Sequence, residues 1–428
     1  MKVATAKTAS TVLLSVAALC LATPALADGA FPDELSVYLP PNDPAKIMLG
    51  TNFGLVVSQD TGQSWRFICE LFITGSGADI VNYYKIGSDG AIIAITFVNL
   101  WRSSDGGCSW TRATGSVASL DVLDAFIDPN DPTFVIAIAS SPSGAGSGLY
   151  PSHDGGLTFG DALYPTTDLL TGIEISRKNG NIIYATRNHA ANSGGQGGAF
   201  LMRSDDRGKT WSEQQLQVSS STVPRIAGVD PENPDIVYLR LLALADSRDQ
   251  IANYNYPAKT MTVAATLSGG NVFFTSFLRA NDGTLYAGTS SSDLYVQPAG
   301  SSGFTKRVGP RARCLGQRIG ESRTYACGDG FLDGYNLGYS DDGANTFKPM
   351  MKFTDIAGPL TCPSVQNFCA IQYQNLMQTL NGNDAGPTGS DGGTQLRPGA
   401  SGSCATGDAG IGALLALPLL LWRRRFAR

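Results

Sequence analysis

One octapeptide recurs along the chain. It reads Ser58-Gln59-Asp60-Thr61-Gly62-Gln63-Ser64-Trp65, then Ser103-Ser104-Asp105-Gly106-Gly107-Cys108-Ser109-Trp110, then Ser152-His153-Asp154-Gly155-Gly156-Leu157-Thr158-Phe159. A fourth copy is Ser204-Asp205-Asp206-Arg207-Gly208-Lys209-Thr210-Trp211, and the fifth, Ser340-Asp341-Asp342-Gly343-Ala344-Asn345-Thr346-Phe347, places Ala344 where the others have Gly. Such a segment makes a compact turn between two strands. The carboxylate accepts hydrogen bonds from turn N–H groups, Gly supplies a conformation other residues resist, and the aromatic residue packs into the core. Starts at 58, 103, 152 and 204 lie 45, 49 and 52 residues apart, the length a four-stranded blade needs.

The gap from 204 to 340 is 136 residues, close to three such periods. A second signal fills it. Each copy follows a turn and a short apolar strand: Asn42-Asp43-Pro44, Asp89-Gly90, Asn130-Asp131-Pro132 and Asn179-Gly180. The same pairing recurs at Asn233-Pro234 before Ile236-Val237-Tyr238, at Asp282-Gly283 before Leu285-Tyr286, and at Glu321-Ser322 before Thr324-Tyr325. Seven units result, two with eroded octapeptides near Asn255 and Gln297; six or eight stay open because that pair is placed by inference. With 50 glycines, 16% charged residues and no long helical periodicity before residue 370, the expectation is all-β: a seven-bladed β-propeller of four-stranded antiparallel blades.

The octapeptide resembles the Asp-box (BNR repeat), S-x-D-x-G-x-[ST]-[WF], of the sialidase-like and sortilin-like propeller superfamily. That resemblance implies that Asp60, Gly62, Trp65, Asp105, Gly107, Trp110, Asp154, Gly156, Phe159, Asp206, Gly208, Trp211, Asp342 and Phe347 are structural. It places them at the outer rim, between third and fourth strands, with ligands bound at the opposite face near the axis. A sialidase would also need an arginine triad, a Tyr–Glu pair, an acid Asp and an early [FY]-R-I-P motif. The nearest string here, Val223-Pro224-Arg225-Ile226, is mid-chain and in another order, so sialidase activity is not expected.

Residues 1–27 read as a secretory signal: Lys2 and Lys7, an apolar stretch Thr11–Ala22, and Ala25-Leu26-Ala27 as cleavage site. Export suits the cysteines. Cys69, Cys108, Cys314, Cys327, Cys362 and Cys369 lack zinc-site spacing and can form three bridges. The expected pairings are Cys314–Cys327 across the blade-seven hairpin, Cys69 reaching Cys108, and Cys362 with Cys369 flanking a short loop. The propeller is placed at 28–353 and a cap with one short helix, covering the propeller end, at 354–380. Residues 381–403, rich in Gly, Ser and Asp, read as a flexible linker.

Residues 404–428 hold Cys404, an apolar run of 14 residues from Ala409 to Trp422, and Arg423, Arg424 and Arg425. As a helix the run is about 21 Å long, short of the roughly 30 Å hydrocarbon layer. The order resembles the MYXO-CTERM sorting tail of myxobacterial exported proteins, which implies cutting near the Cys and retention at the cell surface; an ordinary anchor helix is the alternative.

A net charge of −5 offers no electrostatic case for nucleic acid. With only two histidines, His153 and His189, His-rich metal sites and His-based triads are not expected. Long loops between second and third strands are expected at Ser140–Gly148, Arg187–Gly198, Leu242–Asn253 and Gly328–Tyr335. There, His189, Asp246, Asp249, Asp329 and Asp333 are candidate ligand-face residues; the four aspartates are weak Ca²⁺ ligands or solvated turn residues, and no other cofactor is expected. The expected role is a monomeric, non-catalytic binding module for an extracellular glycan or protein, touching the membrane only through its tail. A glycoside hydrolase and an envelope assembly scaffold are the alternatives.

Overall fold

A computed structural model describes residues 34–76, 79–141, 147–189, 197–267 and 272–382. The expected signal, sorting tail and nearly all of the linker lie outside them. The described chain forms seven antiparallel sheets. Blade one is Glu34–Tyr38, Ile47–Thr51, Gly54–Ser58 and Trp65–Cys69; blade two is Val81–Ile86, Ile92–Thr96, Leu100–Ser103 and Thr111–Arg112. Blade three is Asp121–Asp128, Asp131–Ser140, Ser147–Ser152 and a broken outer strand, Thr158–Phe159 and Tyr164–Thr166. Blade four is Leu169–Ile175, Ile183–His189, Gly198–Ser204 and Ser212–Gln215. Blade five is Thr222–Val229, Ile236–Ala243, Arg248–Asn255 and Thr260–Leu267; blade six is Phe274–Arg279, Leu285–Thr289, Asp293–Gln297 and Thr305–Arg311. Blade seven is Leu315–Gln317, Thr324–Cys327, Leu337–Ser340 and Lys348–Met351.

The first strands of neighbouring blades touch in succession, and that of blade seven meets that of blade one, so the sheets close into a ring. The fold is a seven-bladed propeller. Its core lies between blades: Ile93 and Leu100 pack on Val122 and Val135, Phe134 and Ile136 on Ile173 and Ile183, Tyr184 and Leu201 on Val237 and Leu239. Second strands are covered on both faces, which is why Ile47–Thr51 and Ile92–Thr96 are buried throughout and read as unbroken apolar runs. The two eroded turns fall where the spacing put them. Asn255 Oδ1 accepts the Ala258 N–H (3.1 Å), and Gln297 Nε2 donates to the Ser301 carbonyl (2.8 Å).

The four main strands of each blade are consecutive in sequence. Buried Arg318 of blade seven donates to the Pro40, Asp43 and Lys46 carbonyls on the first turn of blade one (3.0, 3.3 and 2.6 Å). Past blade seven, Ile356–Pro359 adds a fifth strand, parallel to Trp65–Cys69, at the outer edge of blade one. A 20-residue helix, Pro363–Gly382, then packs on that edge and on the short helix Glu70–Thr74.

Two of the expected pairings are corrected here. Cys69 bonds Cys369, and Cys108 bonds Cys362; Cys314–Cys327 closes the first hairpin of blade seven as expected. Local spacing favoured near neighbours, but the C-terminal segment returns to the outside of blades one and two and brings distant cysteines together, 300 and 254 residues apart in sequence. The helix is therefore longer than expected, and it covers the outer edge of blade one rather than an end of the ring. The expected loop Leu242–Asn253 is also mostly strand, since Arg248–Asn255 pairs residue by residue with Ile236–Ala243.

Candidate functional site

In a meandering blade, the first-to-second and third-to-fourth turns share one end, while second-to-third loops and interblade connections share the other. All five octapeptides lie at the first end. In the first copy, Ser58 Oγ donates to Asp60 Oδ1 (2.8 Å) and accepts the Gly62 N–H (2.9 Å). Asp60 also accepts the Ser64 N–H (2.9 Å) and hydroxyl (2.5 Å), and Trp65 Nε1 donates to the Gly62 carbonyl (3.2 Å). These bonds hold the Asp60 carboxyl down at about 2. Asp105, Asp154, Asp206 and Asp342 each accept the same Ser hydroxyl and Ser/Thr N–H bonds. Trp110 and Trp211 repeat the indole bond to Gly107 and Gly208. Phe159 is buried, and Phe347 packs on the core between blades six and seven. Each of these carboxylates is engaged by hydrogen bonds within its own turn.

At the loop end, the candidates separate. Asp249 is fully buried, bound by Arg240 (2.9 Å) and accepting the Phe274 N–H (2.8 Å), so it joins blade five to blade six and does not face solvent. Asp246 pairs with its neighbour Arg248 at the surface (2.8 Å). Asp329 accepts the Phe331 and Leu332 N–H groups (2.8 and 3.0 Å), and Asp333 accepts the Asp329 N–H (2.7 Å). Among the described residues, no three His, Cys, Asp or Glu side chains gather where a metal ion could be held.

His189 does enter a network. Its Nδ1 lies 2.7 Å from Asp168 Oδ1, and Asp168 also accepts from Arg187. Arg187 reaches Glu213 (2.5 Å), which accepts the Tyr164 hydroxyl (2.7 Å), and its guanidinium stacks on Phe200 at 4.4 Å. This chain joins blades three and four beside an open cleft of about 560 Å³ lined by Ser147, Tyr150, Pro165, Thr166 and Thr167. His153, by contrast, is exposed at the opposite end.

The same loop end carries exposed apolar side chains: Phe331 and Leu332 on blade seven, Leu35 on blade one, Ile80 and Val98 on blade two, each 45% to 68% exposed. Those blades are consecutive around the ring. Sequence reading passed over them because they come from separate stretches of the chain, one or two residues at a time.

Around the axis, the innermost strands of blades two to five bring together Tyr83, Lys85, Asp124, Glu174 and Arg225. Lys85 Nζ is 3.6 Å from Asp124 and 5.5 Å from the ring centres of Tyr83 and Phe126. Glu174 accepts the Val229 N–H (2.9 Å), and burial pushes its carboxyl up to about 7 against that bond. None of these residues was singled out from sequence as a site residue. The available signal was a charge at the centre of a first strand, where apolar residues are otherwise expected.

No family model matches the chain. A stretch of 143 residues, 33% of this chain, is 32% identical to the human VPS10 domain-containing receptor SorCS2 and spans 11% of that protein. Among solved structures, the extracellular domain of a one-component system from B. thetaiotaomicron superposes with a TM-score of 0.53 at 11% identity, over 76% of this chain and 42% of that one. The Niastella koreensis GH74 enzyme gives 0.50 at 13%, over 76% and 55%, and an oligogalacturonate lyase in complex with manganese gives 0.50 at 10%, over 69% and 86%. At these identities the likeness is one of fold: a seven-bladed propeller with a GH74 enzyme, an extracellular domain and a lyase among its structural neighbours.

Proposed function

We propose that this chain is an exported, surface-retained, non-catalytic binding module that takes an extracellular protein on its loop-bearing face. One observation carries the reading: the exposed apolar arc formed by Phe331, Leu332, Leu35, Ile80 and Val98 on three consecutive blades. Scattered apolar residues are ordinary, but several on one face mark a surface that gains from being covered. Three disulfides accord with an oxidising compartment. The octapeptides act as Asp-boxes in this reading, tying each blade and leaving the other face free for recognition.

A hydrolase is the second reading, favoured by one feature. Glu174, held protonated to about 7, shares the axis with Asp124, and a raised acid beside a second carboxylate is what glycoside hydrolysis requires. One experiment separates the two. The purified full chain is immobilised, offered a cell-surface protein fraction and a panel of polysaccharides, and compared with Phe331→Asp/Leu332→Asp and with Glu174→Gln. Capture of a defined protein that the double variant loses by at least about tenfold, with no new saccharide products, supports the binding module. Retention of a glycan instead replaces the protein partner by a lectin-like role. Products that vanish in Glu174→Gln establish the hydrolase.

A further inference from the structure

Arg225 stands at the middle of the innermost strand of blade five, and within the described residues no hydrogen bond or ion pair engages its guanidinium; its Nε is shielded from solvent. Its neighbours have partners of their own. Arg240, directly opposite in the register, is neutralised by Asp249 (2.9 Å), and Lys85 faces Asp124 (3.6 Å). The strand bearing Arg225 is also held rigidly. Asn188 Nδ2 donates to the Thr222 carbonyl (2.8 Å), Thr171 Oγ1 to the Pro224 carbonyl, and the Val229 N–H to Glu174 (2.9 Å). Gly172 permits this close approach, since a Cβ there would lie 3.1 Å from the Ile226 nitrogen.

A guanidinium stays charged in proteins, and a partly desolvated charge whose N–H groups have no hydrogen-bond partner is costly. Fixing it on a pinned strand, with its planar fork unused, is the arrangement that suits recognition of an incoming anion. Asp124 and Glu174 nearby oppose a doubly charged group, while Tyr83 and Phe126 offer half-buried rings to an organic body. We propose that Arg225 anchors a site on the propeller axis for a small organic carboxylate. This goes beyond the loop-face reading and stands apart from it, because Phe331 and Leu332 take no part.

The test is titration calorimetry of the full chain with sodium acetate and sodium benzoate, with sodium chloride and sodium phosphate as comparisons. The expected result is saturable carboxylate binding with a Kd of about 1 mM or tighter, weakened at least about tenfold in Arg225→Gln and partly retained in Arg225→Lys. Without ligand, Arg225→Gln should melt no lower than the parent, since it removes a charge that burial disfavours and no hydrogen bond holds. Absence of saturable binding by both carboxylates, equal affinity in Arg225→Gln, or tighter binding of phosphate would each overturn the assignment. A clear fall in Tm for Arg225→Gln would also overturn it, by showing that the guanidinium has an internal partner.

Discussion

At the scale of single residues, the recurring turn shows how a few atoms settle a local shape. Its Gly position takes positive φ in the first four copies, 91° to 101° in the first three and 88° at Gly208, and there the chain also presses on the preceding blade. A Cβ on Gly156 would sit 3.0 Å from Ile93 Cδ1, at a φ of 92°. Gly156→Ala should therefore destabilise the protein by about 1–3 kcal/mol, seen as a lower Tm in calorimetry; an unchanged Tm would refute the strain argument. The fifth copy carries Ala344 at a φ of 60°, which an L-residue adopts with some cost, and it keeps the bond from its N–H to Ser340 Oγ (2.9 Å). Four glycines and one alanine in the same role explain why the pattern was legible even where one letter changed.

Among elements, the C-terminal strap carries most of what sequence could not show. Ile356–Pro359 and the helix Pro363–Gly382 join blade one through a parallel strand, the Cys69–Cys369 bond and an edge-on contact of Phe72 with Phe368 at 5.5 Å, and blade two through the Cys108–Cys362 bond. Each bridge closes a long loop, so its removal releases much unfolded-chain entropy. Cys369→Ser paired with Cys69→Ser should cost about 2–4 kcal/mol, measured by denaturant unfolding, with the helix becoming protease-sensitive before the blades. Should the helix stay protected, packing rather than the bridge holds the strap. Cysteine spacing announced that bridges exist, and it placed Cys314 opposite Cys327 because both lie on one hairpin. The other two pairs depend on where a distant segment lands, which spacing does not encode.

Over the whole molecule, two sets of carboxyls pull stability in opposite directions with pH. Glu70 and Glu174 have folded values raised to about 7 from an ordinary 4.5, chiefly by burial. The folded state thus binds more protons than the unfolded one between those values, and stability rises as pH falls through that window. Asp60 and Asp206 are lowered to about 2 from 3.8, chiefly by hydrogen bonds from Ser64 and Thr210. Their contribution is present above 3.8 and is lost as pH falls toward about 2. The Tm should therefore pass through a maximum at about pH 4–5, and Glu174→Gln should flatten the limb above it. A Tm that climbs steadily to neutrality would contradict this balance.

What sequence alone determined follows from short-range physics. A turn that satisfies its own hydrogen bonds within eight residues leaves the same signature wherever it occurs, so the octapeptides, their spacing and the intervening apolar strands specify blades and favour seven, while six or eight stayed open until the ring was seen to close. The loop Leu242–Asn253 was misread because Asp249 and Arg248 are charged, and only pairing with Arg240 across the sheet lets Asp249 be buried there. Ring closure by Arg318, the two long-range disulfides, the apolar arc and the meeting of Lys85, Asp124, Glu174 and Arg225 were decided by tertiary structure. Each brings together residues far apart in the chain, and no local pattern records which side chains a closed ring brings to its axis.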